Sequence, residues 1–227
     1  MEKVKDISNP WDCLLKEGTY NLQRPEPNLL KILKESDRTN AIALDLGCGL
    51  GRHLQPLKEK DFLPIGLDIS PSAIQNIKMR LNPDFQVLVG DMKMLPFENE
   101  SLDLILAWRS VYLQSFKEML QSISEIKRTL KPGGKLFAAI RSTRNTLFFI
   151  GKEKGVEIEK NTFIIDDGEH LRGVIFHFSH EQEIREVFSW LTISYMEEEI
   201  LEDTKYTRQD GRPSTNYYWI VVGEKPR

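Results

Sequence analysis

The run Asp45-Leu46-Gly47-Cys48-Gly49-Leu50-Gly51 places glycine at every second position just after an acid. Glycine there lets the backbone turn sharply and approach a ligand closely, where a side chain would block contact or demand an unfavourable φ. Asp68 and Asp91 each end a later apolar stretch. Carboxylates accept hydrogen bonds and do not donate them, so Asp45 suits an ammonium group, Asp68 the two hydroxyls of a ribose, and Asp91 an adenine amino group. The ligand that fits is a nucleoside with an amino acid at one end. A nicotinamide dinucleotide is disfavoured, because its fingerprint needs a glycine one residue after Gly51 and Arg52 stands there. S-adenosylmethionine (SAM) has the required shape and no pyrophosphate.

The elements that must position these residues follow from the apolar pattern. Ala41 to Leu46 is a continuous apolar run interrupted only by Asp45 and ended by glycine, as in a strand buried on both faces. A helix over Arg52–Lys60 follows, then a strand over Phe62–Asp68, and Ser70-Pro71 supplies an N-cap with proline at the first helical position. Strands are predicted at 85–90 and 102–108. A helix with Phe116, Met119, Leu120, Ile123, Ile126 and Leu130 on one face ends at Lys131-Pro132-Gly133-Gly134, before a strand over 135–140. Ser179 and Gln182 suggest a capping box for a helix through Trp190. Leu191–Met196 and Tyr217–Val222 then form an antiparallel pair at the sheet edge. Alternating strands and helices imply an α/β, doubly wound, Rossmann-like three-layer sandwich, because parallel neighbours need crossover connections.

The length of 227 residues suits one such domain. Residues 1–40 read as an N-terminal helical cap, with Leu29, Leu30, Ile32 and Leu33 at helical spacing. Residues 41–227 read as the catalytic domain, and 143–178, with four glycines among charged residues, as an insertion that shapes the substrate site. The formal net charge of -3 disfavours a nucleic-acid partner. The N-terminus lacks an apolar signal core and no apolar run approaches the ~20 residues of a membrane span, which points to a cytoplasmic protein, monomeric or homodimeric, with no membrane contact. Cys13 and Cys48 are too few for a disulfide framework, and no metal site is expected.

The order of these segments resembles class I SAM-dependent methyltransferases. Asp45 to Arg52 is similar to their motif I, Gly66-Leu67-Asp68-Ile69-Ser70 to motif II, and Gly90-Asp91-Met92 with Leu95-Pro96-Phe97 to the adenine-contacting segment. Phe97 to Trp108 and Leu130 to Leu136 resemble the fourth-strand and pre-fifth-strand signatures. The resemblance implies a seven-stranded, mostly parallel sheet whose last strand is antiparallel. It also implies SAM contacts at Asp45, Gly47, Cys48, Gly49, Gly51, Asp68, Ile69, Asp91, Met92, Ala107 and Trp108, with S-adenosylhomocysteine as product. Members that methylate exocyclic amino groups of bases, or a glutamine, often carry Asn or Asp followed by Pro-Pro and an aromatic after the fourth strand. Here Ala107-Trp108-Arg109-Ser110 stands instead, closer to the small-molecule branch that includes the tellurite-resistance and quinone-biosynthesis types.

The expected partner is therefore a small-molecule methyl acceptor. The alternatives are RNA or protein as acceptor, or a non-catalytic SAM-binding module. Candidate acceptor-site residues are Trp11, Tyr20, Arg109, Tyr112, Arg141 and His177. Arg109, Tyr112 and Arg141, with Arg144 and Arg172, could form an anion-binding rim. If the acceptor must lose a proton, His170, His177, Glu169, Asp166 or Tyr20 could serve as base; composition alone does not rank them. The sulfonium is already an activated donor, so no nucleophilic side chain is required.

Overall fold

The structure is a computed structural model that describes residues 10–16, 24–27, 40–166, 171, 173–201 and 215–227. The expected helix through Leu29–Leu33, and Tyr20, Glu169, His170 and Arg172, lie outside the described residues. Five strands, β1 (Ile42–Leu46), β2 (Leu63–Asp68), β3 (Gln86–Val89), β4 (Leu102–Trp108) and β5 (Leu130–Arg141), run parallel. Between them stand α2 (Leu54–Lys58), α3 (Pro71–Arg80) and α4 (Phe116–Thr129), and α1 (Pro10–Lys16) precedes them. After β5 come α5 (Thr146–Lys154), a small antiparallel sheet of β6 (Val156–Glu159), β7 (Thr162–Ile165) and β8 (Val174–His177), and then α6 (Glu181–Val187). β9 (Thr192–Ile200) and β10 (Tyr217–Glu224) complete the main sheet, whose order is β3-β2-β1-β4-β5-β10-β9. β10 is antiparallel to both its neighbours, so the last strand in the chain is the reversed one.

Burial follows from strand position. Leu104, Ile105, Leu106, Ala107 and Trp108 of the central strand β4 are all buried, as a strand covered on both faces requires. β3, at the edge, leaves Leu88 and Val89 exposed. Helix α3 begins as its sequence dictates: the Ser70 hydroxyl accepts the Ala73 N–H at 3.2 Å and Pro71 occupies the first turn. α4 carries a full capping box, in which the Ser115 hydroxyl accepts the Glu118 N–H while the Glu118 carboxylate accepts the Ser115 N–H. Among the described residues no helix is long and apolar enough to cross a membrane.

Several boundaries differ from expectation. α2 is shorter, because turns around Gly49 and Gly51 occupy the residues before Leu54 and Asp61, at φ 61°, ends the segment. β5 starts at Leu130, directly where α4 ends, with Gly133 at φ 73° bending the entry. α6 is capped by His180 rather than Ser179: Ser179 is held in a bridge to Ser142, its N–H donating to Arg141 O, so the His180 ring accepts the Glu183 N–H at 3.2 Å. The helix ends at Val187, before Trp190.

Candidate functional site

Strand order reverses between β1 and β4, and open α/β sheets bind ligands beyond the strand ends at such a point. A cavity of about 490 Å³ opens there. The strand ends contribute Gly47, Gly49, Asp68, Ile69, Asp91, Met92, Arg109 and Ser110. The far wall comes from Pro10, Trp11 and Leu15 of α1, from Leu113 and Gln114 after β4, and from Gly173 and Ile175 at β8.

Asp68 is the organising acid. One of its oxygens accepts the Gly49 N–H at 2.8 Å and the other the Ser70 N–H at 2.9 Å, so it fixes the glycine turn to the start of α3. A carboxylate has about four acceptor positions, which leaves capacity toward the cavity. Burial raises its pKa, against the lowering effect of these N–H donors. Gly47 (φ 72°) crosses under Ser110, whose hydroxyl donates to Leu46 O at 2.6 Å. Gly49 (φ 53°) faces open space: a side chain built on it would meet nothing within 4 Å, as expected of a cradle for a ligand.

The opposite end is charged. Asp91 accepts the Lys93 N–H, and Lys93 Nζ lies 2.6 Å from Glu118 and 3.6 Å from Asp91. That contact with Glu118 raises Lys93, and it holds Glu118 below the usual carboxylate range, so both are ionised at neutral pH. On α1, the Asp12 carboxylate accepts the Ser70 hydroxyl and the Ser72 N–H. Burial alone would raise Asp12, but these donors and Lys16 hold it far below the ordinary value. The N-terminal helix is thereby tied to the start of α3 with Trp11 over the cavity.

Other sequence candidates fall elsewhere. Asp45 is not among the residues that line the main cavity or the smaller one beside it, and its carboxylate lies 3.5 Å from His53 Nδ1. Cys48 and Trp108 line a smaller adjoining cavity with Gly47, Gly49, His53 and Arg109. Gly51 (φ 78°) packs against Ile77 and Leu81, and Ala107 lies in the core. Tyr112 and Arg141 line neither cavity. The Arg141 guanidinium is 5.1 Å from the Phe176 ring, 5.3 Å from Tyr218 and 5.5 Å from Tyr112, and donates to Asn145, so aromatic rings surround it. Arg144 pairs with Glu198.

His177 is likewise interior. Its Nδ1 is 2.7 Å from the Thr162 hydroxyl, its Nε2 2.8 Å from Glu183, and its ring stacks on Phe116. Neither His177 nor Asp166 reaches the cavity. Among the described residues no group of three or more His, Cys, Asp or Glu could hold a metal. The residues that sequence reasoning did not single out include Leu15, His53, Lys93, Ser110, Leu113, Gln114, Glu118 and Ile175. Only Glu118 carried a readable signal, three residues after Ser115 in a capping box.

Cys48 is buried, and burial, then Asp68 and Asp45, push its thiol well above the ordinary value. A protonated, enclosed thiol is a poor nucleophile. Iodoacetamide at neutral pH is therefore expected to label exposed Cys13 and to leave Cys48 unmodified in the native protein. Peptide mass mapping checks this, and labelling of both at equal rate would contradict it.

A seven-stranded sheet with a reversed last strand, a glycine turn after β1 and acids ending β2 and β3 define the class I SAM-dependent methyltransferase fold. Residues 44–138 match the methyltransferase domain family. Over 96 residues it is 31% identical to demethylmenaquinone methyltransferase of Renibacterium salmoninarum, covering 42% of this chain and 39% of that protein. The matched segments span 30%, 61% and 39% of the first three curated relatives. Among solved structures, a SAM-dependent methyltransferase of Methanosarcina mazei is similar at a TM-score of 0.72 and 21% identity, over 89% of this chain and 99% of that one. A 1,6-didemethyltoxoflavin-N1-methyltransferase of Burkholderia thailandensis, with 1,6-didemethyltoxoflavin and S-adenosylhomocysteine bound, is similar at 0.63 and 15% identity, over 88% of this chain and 78% of that one.

Proposed function

We propose that this protein transfers the methyl group of SAM to a small-molecule acceptor held beneath α1 and β8. The observation that carries the reading is the cavity itself. Its volume of about 490 Å³ falls within the ~300–1,000 Å³ range of small-ligand sites. It is walled by Trp11, Leu15, Leu113 and Ile175 across from the glycine turn and Asp68. That arrangement is a pocket, where a long polymer would need an open basic groove.

SAM supplies an activated methyl on a sulfonium. In this reading Asp68 and Ile69 hold the ribose, Asp91 and Met92 the adenine, and the apolar wall excludes water while aligning the acceptor. Segment 143–178 contributes Gly173 and Ile175 to that wall, consistent with an insertion that shapes the acceptor site. No base is assigned to the acceptor's proton. The bound acceptor and product of the toxoflavin enzyme illustrate the kind of small heteroaromatic ligand such a pocket could take.

Calorimetry is expected to give micromolar binding of SAM and S-adenosylhomocysteine and none of NAD; preference for NAD would sink the cofactor assignment. A panel of small quinol, phenol and heteroaromatic acceptors, scored for S-adenosylhomocysteine release, tests the acceptor class. Turnover confined to RNA or protein would reject it.

A further inference from the structure

The wall of the main cavity divides by charge. Its acids, Asp68, Asp91 and Glu118, end β2, follow β3 or begin α4, on the side that the reading above gives to the nucleoside. Lys93 belongs to that side as well, 2.6 Å from Glu118 and 3.6 Å from Asp91. Past the end of β4 the wall turns positive at Arg109, which is 5% exposed. Its backbone is left-handed, at φ 61°, while its N–H still donates to Ala139 O of β5 at 3.2 Å. That conformation is uncommon for a residue with a side chain and concentrates at ligand sites. The Arg109 guanidinium lies 5.0 Å from the Tyr218 ring and that of Arg141 5.3 Å from the same ring, so two buried cations share one aromatic neighbour. Five residues further on, Gln114 lines the same cavity and is 9% exposed. Its amide nitrogen donates to Val111 O at 2.9 Å and to Ser122 Oγ of α4 at 2.8 Å, which fixes the way the amide points. Among the described residues no hydrogen bond reaches its Oε1. An enclosed carbonyl oxygen is costly unless a donor meets it.

Resting on the SAM-binding reading above, we propose that the acceptor is a carboxylic acid that also carries a hydroxyl or amino group, its carboxylate on Arg109 and its O–H or N–H on Gln114 Oε1. A sulfonium and a guanidinium that face one largely apolar cavity repel each other, and a carboxylate between them is attracted to both. Arginine presents paired N–H donors in a planar fork that matches a carboxylate. The Tyr218 ring steadies that fork, and Arg141 beyond the ring adds to the positive potential. Trp11, Leu15, Leu113 and Ile175 supply apolar wall for the carbon frame between the two polar contacts. Arg109 and Gln114 are thus the residues that set acceptor specificity: the first selects for negative charge, the second for a donor.

Calorimetry on the full chain saturated with S-adenosylhomocysteine, which fills the nucleoside site without supplying a methyl group, tests this. The probes are 3-hydroxybenzoate, 4-hydroxybenzoate and 2-aminobenzoate, each set against its own amide and against benzoate. At least one of the three acids is expected to bind roughly tenfold or more tightly than its amide, the usual worth of a hydrogen bond to a charged group, and more tightly than benzoate. Arg109→Gln should bring the ratio of acid to amide affinity close to one, and Arg109→Lys, which keeps the charge, should retain part of it. Gln114→Leu should erase the preference over benzoate and leave the preference for acid over amide intact. Retained affinity for S-adenosylhomocysteine in each variant separates these effects from loss of the fold. Amides that bind as well as the acids, binding of none of the acids, or an acid preference that survives Arg109→Gln would overturn the proposal. Failure of the unmodified protein to bind S-adenosylhomocysteine would instead overturn the SAM-binding reading beneath it.

Discussion

Asp68→Ala is expected to lower affinity for SAM by roughly 100-fold or more, since two hydrogen bonds to a charged group are each worth about 1.5–3 kcal/mol. The proposal places the ribose hydroxyls on this carboxylate. The substitution also strips the Gly49 and Ser70 N–H groups of their acceptor, so the glycine turn loses its anchor to α3. Isothermal calorimetry reads the affinity, and an unchanged value would exclude Asp68 from the ligand. The pH dependence has a definite sign. Burial raises the pKa of Asp68 in the folded protein, so its ionisation costs stability as pH climbs from the unfolded carboxyl value through the raised one. Ribose hydroxyls donating to the anion would offset that cost. SAM affinity should therefore increase as pH rises through the raised pKa and fall below it, and Asp68→Asn should flatten the profile.

Legibility in the sequence depended on how local each determinant is. Strand β4 was readable because six of the seven residues from Leu102 to Trp108 are apolar, and α3 because Ser70-Pro71 carries its own start signal. Asp68 and Asp91 stood out because each ends an apolar run. The placements of His53, Ser110 and Gln114 rest on contacts between separate strand ends, which spacing does not encode. His53 meets Asp45 only because the glycine turn folds back, and Ser110 meets Gly47 only because β4 pairs with β1.

The surroundings of two other candidates were hidden for the same reason. Arg141 and His177 looked like polar residues available to a substrate. Nothing near either in sequence reveals that Tyr112, Phe176 and Tyr218, from three distant segments, close around Arg141, or that Thr162 and Glu183 occupy both nitrogens of His177. Ser179 was a reasonable cap by type, yet its bridge to Ser142 shifts the role by one residue to His180. Long-range packing decided each case.

Two glycines of the same turn should respond differently to alanine. At Gly47 the φ of 72° imposes a left-handed cost of about 1–2 kcal/mol on any other residue. A Cβ there would also stand 2.5 Å from Ser110 Cβ, and Ser110 has little room to yield because its hydroxyl is tied to Leu46 O at 2.6 Å. Overpacking of this kind adds about 1–3 kcal/mol, so Gly47→Ala is expected to lower stability by about 2–5 kcal/mol and to displace the turn on which ligand binding depends. Gly49→Ala carries the conformational cost alone, since its Cβ would enter open space, but that space is cavity. It should therefore weaken SAM binding with a far smaller shift in thermal midpoint. Adding Ser110→Gly to Gly47→Ala should relieve the clash and leave the φ cost, recovering part of the lost stability. Thermal unfolding of the four proteins, with SAM titrations on each, checks the pattern; equal destabilisation by both glycine substitutions would show that contact with Ser110 does not govern the turn.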